Sequence, residues 1–225
     1  MNTPNKLTLV RIMLVPIILL VWLFPYDEFN IIFPYFNISF TGISLLNIIV
    51  VFLFIIGSLT DMLDGRIARS KNLVTTFGKF ADPIADKLLV NTMFIVMSYK
   101  HMVPILPVII MLFRDIVVDG CRMIASKNGT VIAAGFLGKL KTVLQMITIV
   151  IIMLNNLPFE LLPFPMGSIL LWFTTFVSAA SGYSYFVKVK PYIFESIWGF
   201  FDFFRNNNIG GKKDGKNKRN KWRSC

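Results

Sequence analysis

The sequence predicts an all-α integral membrane protein with six transmembrane helices in one bundle. Of its 225 residues, 55% are hydrophobic and only 16% are charged, and the mean hydropathy is +0.67. A soluble domain carries about 25% charged residues, and a disordered chain is much less apolar. Two cysteines are too few for the disulfide framework of a small secreted scaffold. The composition therefore favours a polytopic membrane protein.

Six apolar stretches reach or approach the roughly 20 residues that a helix needs to cross a bilayer. They cover 7–24, 43–59, 88–99, 103–118, 140–154 and 168–187. Arg11 interrupts the first stretch and no small-residue cleavage site follows it, so we interpret it as a retained span rather than a signal peptide. The third stretch is short, so its helix is predicted to begin earlier, within the charged segment before it.

Basic residues lie in alternate connections between these stretches. Lys and Arg occur throughout 60–87 and 119–141 and again after 204, whereas 24–42 and 155–167 contain none. Cytoplasmic loops of membrane proteins carry the excess of Lys and Arg. The pattern predicts that both termini and the two basic connections are cytoplasmic, which an even number of spans permits.

The chain is predicted to form a membrane domain over 1–187 followed by two shorter segments. Residues 188–205 place aromatic side chains at helical spacing, which fits an interfacial helix or a helix packed on the spans. Residues 206–225 are rich in Gly, Asn and Lys, which indicates a disordered basic tail facing anionic lipid. A tail that binds nucleic acid is disfavoured, because Trp222 alone is available for base stacking.

Four of the twelve acidic residues lie in the segment 61–86, at the ends of two predicted spans. Asp61 and Asp64 share one helical face, as do Asp82 and Asp86. Four converging carboxylates repel one another by several kcal/mol at reduced dielectric, so a cation between them is expected. Oxygen ligands suit Mg²⁺, Mn²⁺ or Ca²⁺, and His101, the only histidine, is predicted on the opposite side of the membrane.

An alternative interpretation stays open on spacing alone. The same acids would pair with basic neighbours in a solvated loop, namely Arg66, Arg69, Lys79 and Lys87. A divalent-cation transport site is less favoured, because the first, fifth and sixth spans carry no acidic residue.

The acidic segment resembles the signature of the CDP-alcohol phosphatidyltransferases. The family pattern D-x2-D-G-x2-A-R-x8-G-x3-D-x3-D is matched without a gap by Asp61, Asp64, Gly65, Ala68, Arg69, Gly78, Asp82 and Asp86. Four further runs resemble the bacterial branch that uses glycerol 3-phosphate: PNKLTLVR at 4–11, TTFGKFADPIADKLLV at 75–90, RD…GCR at 114–122 and GKLKT at 138–142. The resemblance covers residues 4–187.

This resemblance implies a six-helix enzyme, commonly a homodimer, in the bacterial inner membrane with a cytoplasmic active site. It implies two ions, Mg²⁺ or Mn²⁺, bound by Asp61, Asp64, Asp82 and Asp86, and we assign the general base to Asp86. For CDP-diacylglycerol it implies a site formed by Asn5, Thr8, Gly65, Arg69 and Thr75. For glycerol 3-phosphate it implies a site formed by Arg114, Arg122, Lys139 and Lys141.

The resemblance leaves alternatives open for some of these residues. Asn5 and Thr8 would also serve as a simple helix cap. The basic residues of the proposed acceptor site would also serve as positive-inside anchors, or would be neutralised by Asp115 or Asp119. Other acceptors used in the family are inositol phosphate, serine, choline phosphate and phosphatidylglycerol. Membrane lipids are expected neighbours, and nucleic acid is not.

Overall fold

The computed structural model describes residues 3–38, 41–70, 76–127, 135–157, 159 and 164–190, and these ranges contain six α-helices. The helices are α1 (Thr3–Leu23), α2 (Leu45–Ser70), α3 (Thr76–Tyr99), α4 (Ile105–Lys127), α5 (Phe136–Met153) and α6 (166–190). Between α1 and α2 lie a short 3₁₀ helix, Tyr26–Phe29, and a hairpin of β1 (Tyr35–Ile38) and β2 (Thr41–Ser44).

The predicted helices are present, and their ends differ from the apolar stretches in two ways. Helix α3 begins at Thr76, which confirms that it starts inside the charged segment. Helix α2 begins at Leu45 because Ile43 belongs to β2, where it pairs with Phe36 in an antiparallel register. The all-α prediction is therefore wrong for the hairpin. Aromatic and β-branched side chains favour such a pairing over a helix.

The chain divides into two compact units, and the boundaries fall within α4 and α6. The first unit comprises Met1–Arg114 and Gly135–Ser181, and the second comprises Asp115–Ala134 and Gly182–Cys225. The first unit holds a large apolar core to which all six helices contribute, and which includes Trp22, Phe54, Phe94, Met97 and Ile149. The predicted segment boundaries at 187 and 205 stay predictions, since residues after 190 lie outside the described part.

Gly57 of α2 is a point of close approach between three helices of the first unit. A Cβ atom on Gly57 would lie 2.8 Å from Cδ2 of Leu89 on α3 and 3.7 Å from Cδ1 of Leu14 on α1. Later in both segments, the Lys100 ammonium lies 5.9 Å from the ring centroid of Trp22. Helices α1 and α3 are therefore parallel. The absence of a side chain at Gly57 lets these helices pack against α2.

The contact between Gly57 and Leu89 also fixes the relative direction of α2 and α3. Gly57 lies 13 residues before the end of α2, and Leu89 lies 13 residues after the start of α3. Parallel helices would separate Ser70 from Thr76 by about 39 Å, whereas six residue steps span at most about 22 Å. The two helices are therefore antiparallel, and the directions of α1, α2 and α3 alternate.

We expect Gly57→Ala to lower the thermal stability of the protein, because the new methyl group would collide with the buried Leu89 side chain. Overpacking of this kind costs about 1–3 kcal/mol. The double substitution Gly57→Ala with Leu89→Ala should lose less stability than the sum of the two single changes. Thermal unfolding in detergent measures both effects.

Gly120→Ala is the matched control for this prediction. A Cβ atom on Gly120, which lies inside α4, would meet nothing within 4 Å. Alanine has the higher helix propensity, so this variant should be as stable as the parent protein or slightly more stable. Equal stability of the two alanine variants would contradict the close packing at Gly57.

Within the described residues, one helix meets both the length and the hydropathy of a membrane span, namely α5 over Phe136–Met153. Two apolar stretches are shorter, Thr8–Leu23 in α1 and Leu45–Thr60 in α2. Helices α2 and α3 combine an apolar part with the acidic segment, and α4 carries Arg114 and Asp115 near its middle. Because of these charged residues, α2, α3 and α4 are not uniformly apolar along their length.

Candidate active site

The antiparallel register of α2 and α3 brings the two acidic pairs to one level of the fold. Asp61 and Asp64 follow Gly57 by four and seven residues, and Asp86 and Asp82 precede Leu89 by three and seven. These spacings keep each set on one stripe of its helix. Counted from Gly57 and Leu89, position 64 therefore lies at the same height along the helix pair as position 82. Position 61 lies within one residue of the height of position 86. The two acidic pairs of the predicted cation site therefore lie at the same height along α2 and α3.

The chemistry of the four aspartates at this height suits a hard divalent cation. All four are aspartates, which offer the carboxylate oxygens that Mg²⁺ and Mn²⁺ prefer. The Asp86 side chain is half-buried in α3. The side chains of Asp61, Asp64 and Asp82 lie outside the described set, and within that set no three metal-ligating residues form a cluster.

Helix α1 lies beside the acidic end of α2. The Arg11 side chain is fully buried, and its Nε donates a hydrogen bond to the carbonyl oxygen of Gly57 at 3.2 Å. Following α1 back by one turn puts Thr8, which is 1% exposed, level with positions 60–63 of α2. Thr8 thus lies near the acidic segment, as a substrate-binding role requires.

Several predicted substrate-binding residues lie outside the described side chains. Asn5, Gly65 and Arg69 belong to helices whose backbone is described, but nothing is described of their own surroundings. Thr75 lies outside the described residues altogether, one position before α3 begins. Their roles stay predictions.

The basic residues predicted for the acceptor occupy different environments in the first unit. Arg114 is half-buried, and its Nη2 donates a hydrogen bond to Oγ of Ser181 at 2.5 Å. Lys141 is 5% exposed in the first turns of α5, whereas Lys139 is exposed on the surface. Residues two positions apart face opposite sides of a helix. The structure therefore separates two lysines that the sequence analysis treated together.

Arg122 lies in the second unit against the ring of Tyr185. Its Nη2 donates a hydrogen bond to the tyrosine hydroxyl at 2.9 Å, and the guanidinium carbon lies 5.1 Å from the ring centroid. Tyr185 is 2% exposed, so the partner of the guanidinium is a buried side chain.

A stripe of buried hydroxyl groups on α6 was missed by the sequence analysis. The spacing of four, three and four residues puts these side chains on one helical face: Thr174, Ser178, Ser181 and Tyr185. Ser181 and Tyr185 hold the two arginines, and Thr174 shares a hydrogen bond of 3.0 Å with Thr148 of α5. The signal was present in the sequence as a polar period of 3.6 within an apolar span.

Comparison with known proteins gives consistent matches over most of the chain. The family model for CDP-alcohol phosphatidyltransferase matches residues 1–180. A protein of Bacillus subtilis named CDP-diacylglycerol–glycerol-3-phosphate 3-phosphatidyltransferase is 42% identical over 187 residues, which cover 83% of this chain and 94% of that protein. A protein of the same name from Rickettsia typhi is 38% identical over 192 residues, covering 85% of this chain and 98% of the relative.

Proposed function

Because this chain belongs to the CDP-alcohol phosphatidyltransferase family, we propose that it is the member that transfers a phosphatidyl group from CDP-diacylglycerol to glycerol 3-phosphate. The products are phosphatidylglycerophosphate and CMP, so the protein acts in phospholipid biosynthesis. The observation that carries the proposal is the shared name of the relatives from Bacillus and Rickettsia, which match nearly their whole length. The two aspartate pairs at the same height on α2 and α3 also support the proposal.

The reaction is a displacement at the β-phosphorus of CDP-diacylglycerol. The acceptor hydroxyl forms a new P–O bond, the P–O bond to CMP breaks, and CMP leaves with the electron pair. Asp86 takes the proton of the hydroxyl as the general base, and its half-buried position near the end of the apolar part of α3 suits that role.

The four aspartates would hold two divalent ions, Mg²⁺ or Mn²⁺. Asp61, Asp64 and Asp82 would hold one, and Asp61, Asp82 and Asp86 the other. When bound, such ions neutralise a pyrophosphate and stabilise the charge that develops on the leaving group. The two aspartate pairs lie at the same height along α2 and α3, which supports this assignment.

The nucleotide and pyrophosphate would lie between α1 and the acidic part of α2. Arg69 binds pyrophosphate oxygens as a fixed cation, and Asn5, Thr8, Gly65 and Thr75 line the pocket. The burial of Thr8 beside α2 supports this arrangement. Gly65 leaves room for a ligand to approach the helix backbone.

The glycerol 3-phosphate site would use the buried and half-buried cations rather than all four predicted residues equally. Lys141, Arg114 and Arg122 are removed from bulk water to different degrees, so their charges act on a phosphate with little screening. Exposed Lys139 contributes a longer-range attraction at the start of α5.

The protein belongs in a membrane, and we propose that all six helices span it as one bundle. Large apolar side chains are exposed on all six helices, among them Leu20, Phe52, Ile95, Phe113 and Phe176. Such a surface is unfavourable in water and suits lipid. The alternating directions of α1, α2 and α3, together with the basic connections, support cytoplasmic termini and a cytoplasmic active site. A homodimer is part of the same proposal.

An apolar groove between α2 and α5 supports a lipid substrate. It has a volume of about 270 Å³ and is lined by Phe54, Ile55, Ser58, Leu59, Met146, Ile147, Val150 and Ile151. On α2 the lining ends at Leu59, two residues before Asp61. An acyl chain of CDP-diacylglycerol would fit this groove while its headgroup reaches the acidic level.

The proposal is tested with purified protein, CDP-diacylglycerol and a panel of acceptors, scored by CMP release. We expect glycerol 3-phosphate to be used, and turnover to vanish in excess EDTA and return with Mg²⁺ or Mn²⁺. Release of CMP only with inositol phosphate, serine or phosphatidylglycerol would keep the family reaction and overturn the acceptor. Full turnover in EDTA would overturn the metal sites.

A further inference from the structure

We propose that Arg11 is a positioning residue for CDP-diacylglycerol, which holds α1 in register against the acidic end of α2. This inference rests on the proposed function, because it concerns the same substrate site. Arg11 is fully buried within the apolar helix α1, where a charged side chain is costly unless it is bound to polar partners. A charged residue buried in an apolar helix is therefore expected to have a functional role.

The hydrogen bond of Arg11 joins it to the backbone that carries the first aspartate. Its Nε donates to the carbonyl oxygen of Gly57 at 3.2 Å. In an α-helix the carbonyl of residue 57 also receives the N–H of residue 61. The Arg11 guanidinium and the backbone N–H of Asp61 therefore share one acceptor, the carbonyl oxygen of Gly57. The Thr60 hydroxyl donates to the same oxygen at 2.7 Å.

The direction of helical carbonyl groups places the guanidinium on the acidic side of Gly57. Carbonyl groups point toward the C-terminal end of a helix, so a donor to Gly57 approaches from the side of residue 61. Thr8 lies one turn earlier on α1, buried and level with positions 60–63 of α2. The Arg11 hydrogen bond thus fixes the height at which α1 presents Thr8 to the acidic segment.

Close packing at Gly57 makes this register sensitive to the loss of Arg11. Leu14 of α1 and Leu89 of α3 both approach Gly57, so one crossing sets α1, α2 and α3 against each other. Without this hydrogen bond, α1 would lose a directional contact at this height, whereas the apolar contacts around Gly57 are not directional. A shift of α1 by about one ångström displaces the nucleotide side of the site and leaves the α4 and α5 cations in place.

The test is a two-substrate kinetic analysis of Arg11→Met and Arg11→Lys. We expect Arg11→Met to raise the KM for CDP-diacylglycerol about tenfold and to lower kcat, with the KM for glycerol 3-phosphate changed less than about threefold. Arg11→Lys keeps the charge and a donor, so it should recover most of the loss. Its residual KM shift, about threefold, should again fall on CDP-diacylglycerol alone.

Ile18→Ala is the control for a merely structural effect. Ile18 is 1% exposed and lies two turns further along α1, away from Thr8. Thermal unfolding in EDTA should show a stability loss for Ile18→Ala at least as large as that for Arg11→Met, with no selective KM change. If Arg11→Met fails to fold, the selective shift in Arg11→Lys decides the question.

The outcomes separate this inference from the proposed function. If the parent protein releases no CMP with glycerol 3-phosphate, the proposed function fails. If the parent protein is active and the Arg11 variants change both KM values equally, or change neither, Arg11 has no positioning role and the inference is overturned.

Discussion

Asp61→Asn and Asp82→Asn should each lower kcat by about a thousandfold, the largest effects expected in this protein. Each position is proposed to contribute to both ions, and the loss of metal-stabilised charge in a transition state costs several kcal/mol. About 4 kcal/mol corresponds to that factor in rate. Asparagine keeps the size of the side chain, so the fold should survive. The measurement is the initial rate of CMP release at saturating substrates.

Comparison with other aspartates makes this prediction specific. Asp64→Asn should be milder by about tenfold, because Asp64 is assigned to a single ion. Asp27→Asn is the matched control, since Asp27 is exposed in the 3₁₀ helix between α1 and α2 and should leave the rate unchanged. Equal rates for Asp61→Asn and Asp27→Asn would refute the proposed role of the acidic segment.

Lys141→Met should raise the KM for glycerol 3-phosphate about 10- to 150-fold, while Lys139→Met should raise it less than about threefold. Lys141 is buried, and Lys139 is exposed two residues away on the same helix. The two variants therefore compare the loss of a desolvated charge with the loss of a charge that solvent screens. A charge-assisted contact to phosphate contributes roughly 1.5–3 kcal/mol. Methionine replaces the stem of the side chain and avoids a cavity.

Two-substrate kinetics measure this effect, with the KM for CDP-diacylglycerol as the internal reference. That constant should change little in either lysine variant, because the acidic segment and α1 bind the other substrate. Arg122→Ala should resemble Lys141→Met. If Lys141→Met and Lys139→Met are indistinguishable, burial does not select the acceptor cations, and the assignment of Lys141 is wrong.

Much of the fold and the identity of the acidic segment could be predicted from the sequence. Hydropathy gives the approximate positions of six helices, and the short third stretch correctly implied that α3 begins among charged residues at Thr76. The acidic motif is local, so its spacing alone put each aspartate pair on one helical face. That the two pairs lie at the same height along α2 and α3 could be inferred only from the contact between Gly57 and Leu89.

Other features depend on partners that are distant in sequence and so could not be predicted. Arg11 appeared as an interruption of an apolar stretch and as the last residue of the run PNKLTLVR, but its hydrogen-bond acceptor lies 46 residues away in the sequence. Lys139 and Lys141 look equivalent until the packing of α5 buries one of them. The hairpin at 35–44 lies in a segment without basic residues, where hydropathy records only apolar character and not strand pairing.

The most direct test of the acidic site is the number of Mn²⁺ ions bound per chain in the presence of CDP-diacylglycerol, measured by electron paramagnetic resonance. The proposed arrangement predicts two ions, with spin coupling from their shared carboxylates, and the loss of at least one ion in Asp64→Asn. A parent protein that turns over CDP-diacylglycerol while binding no Mn²⁺ or Mg²⁺ would contradict it.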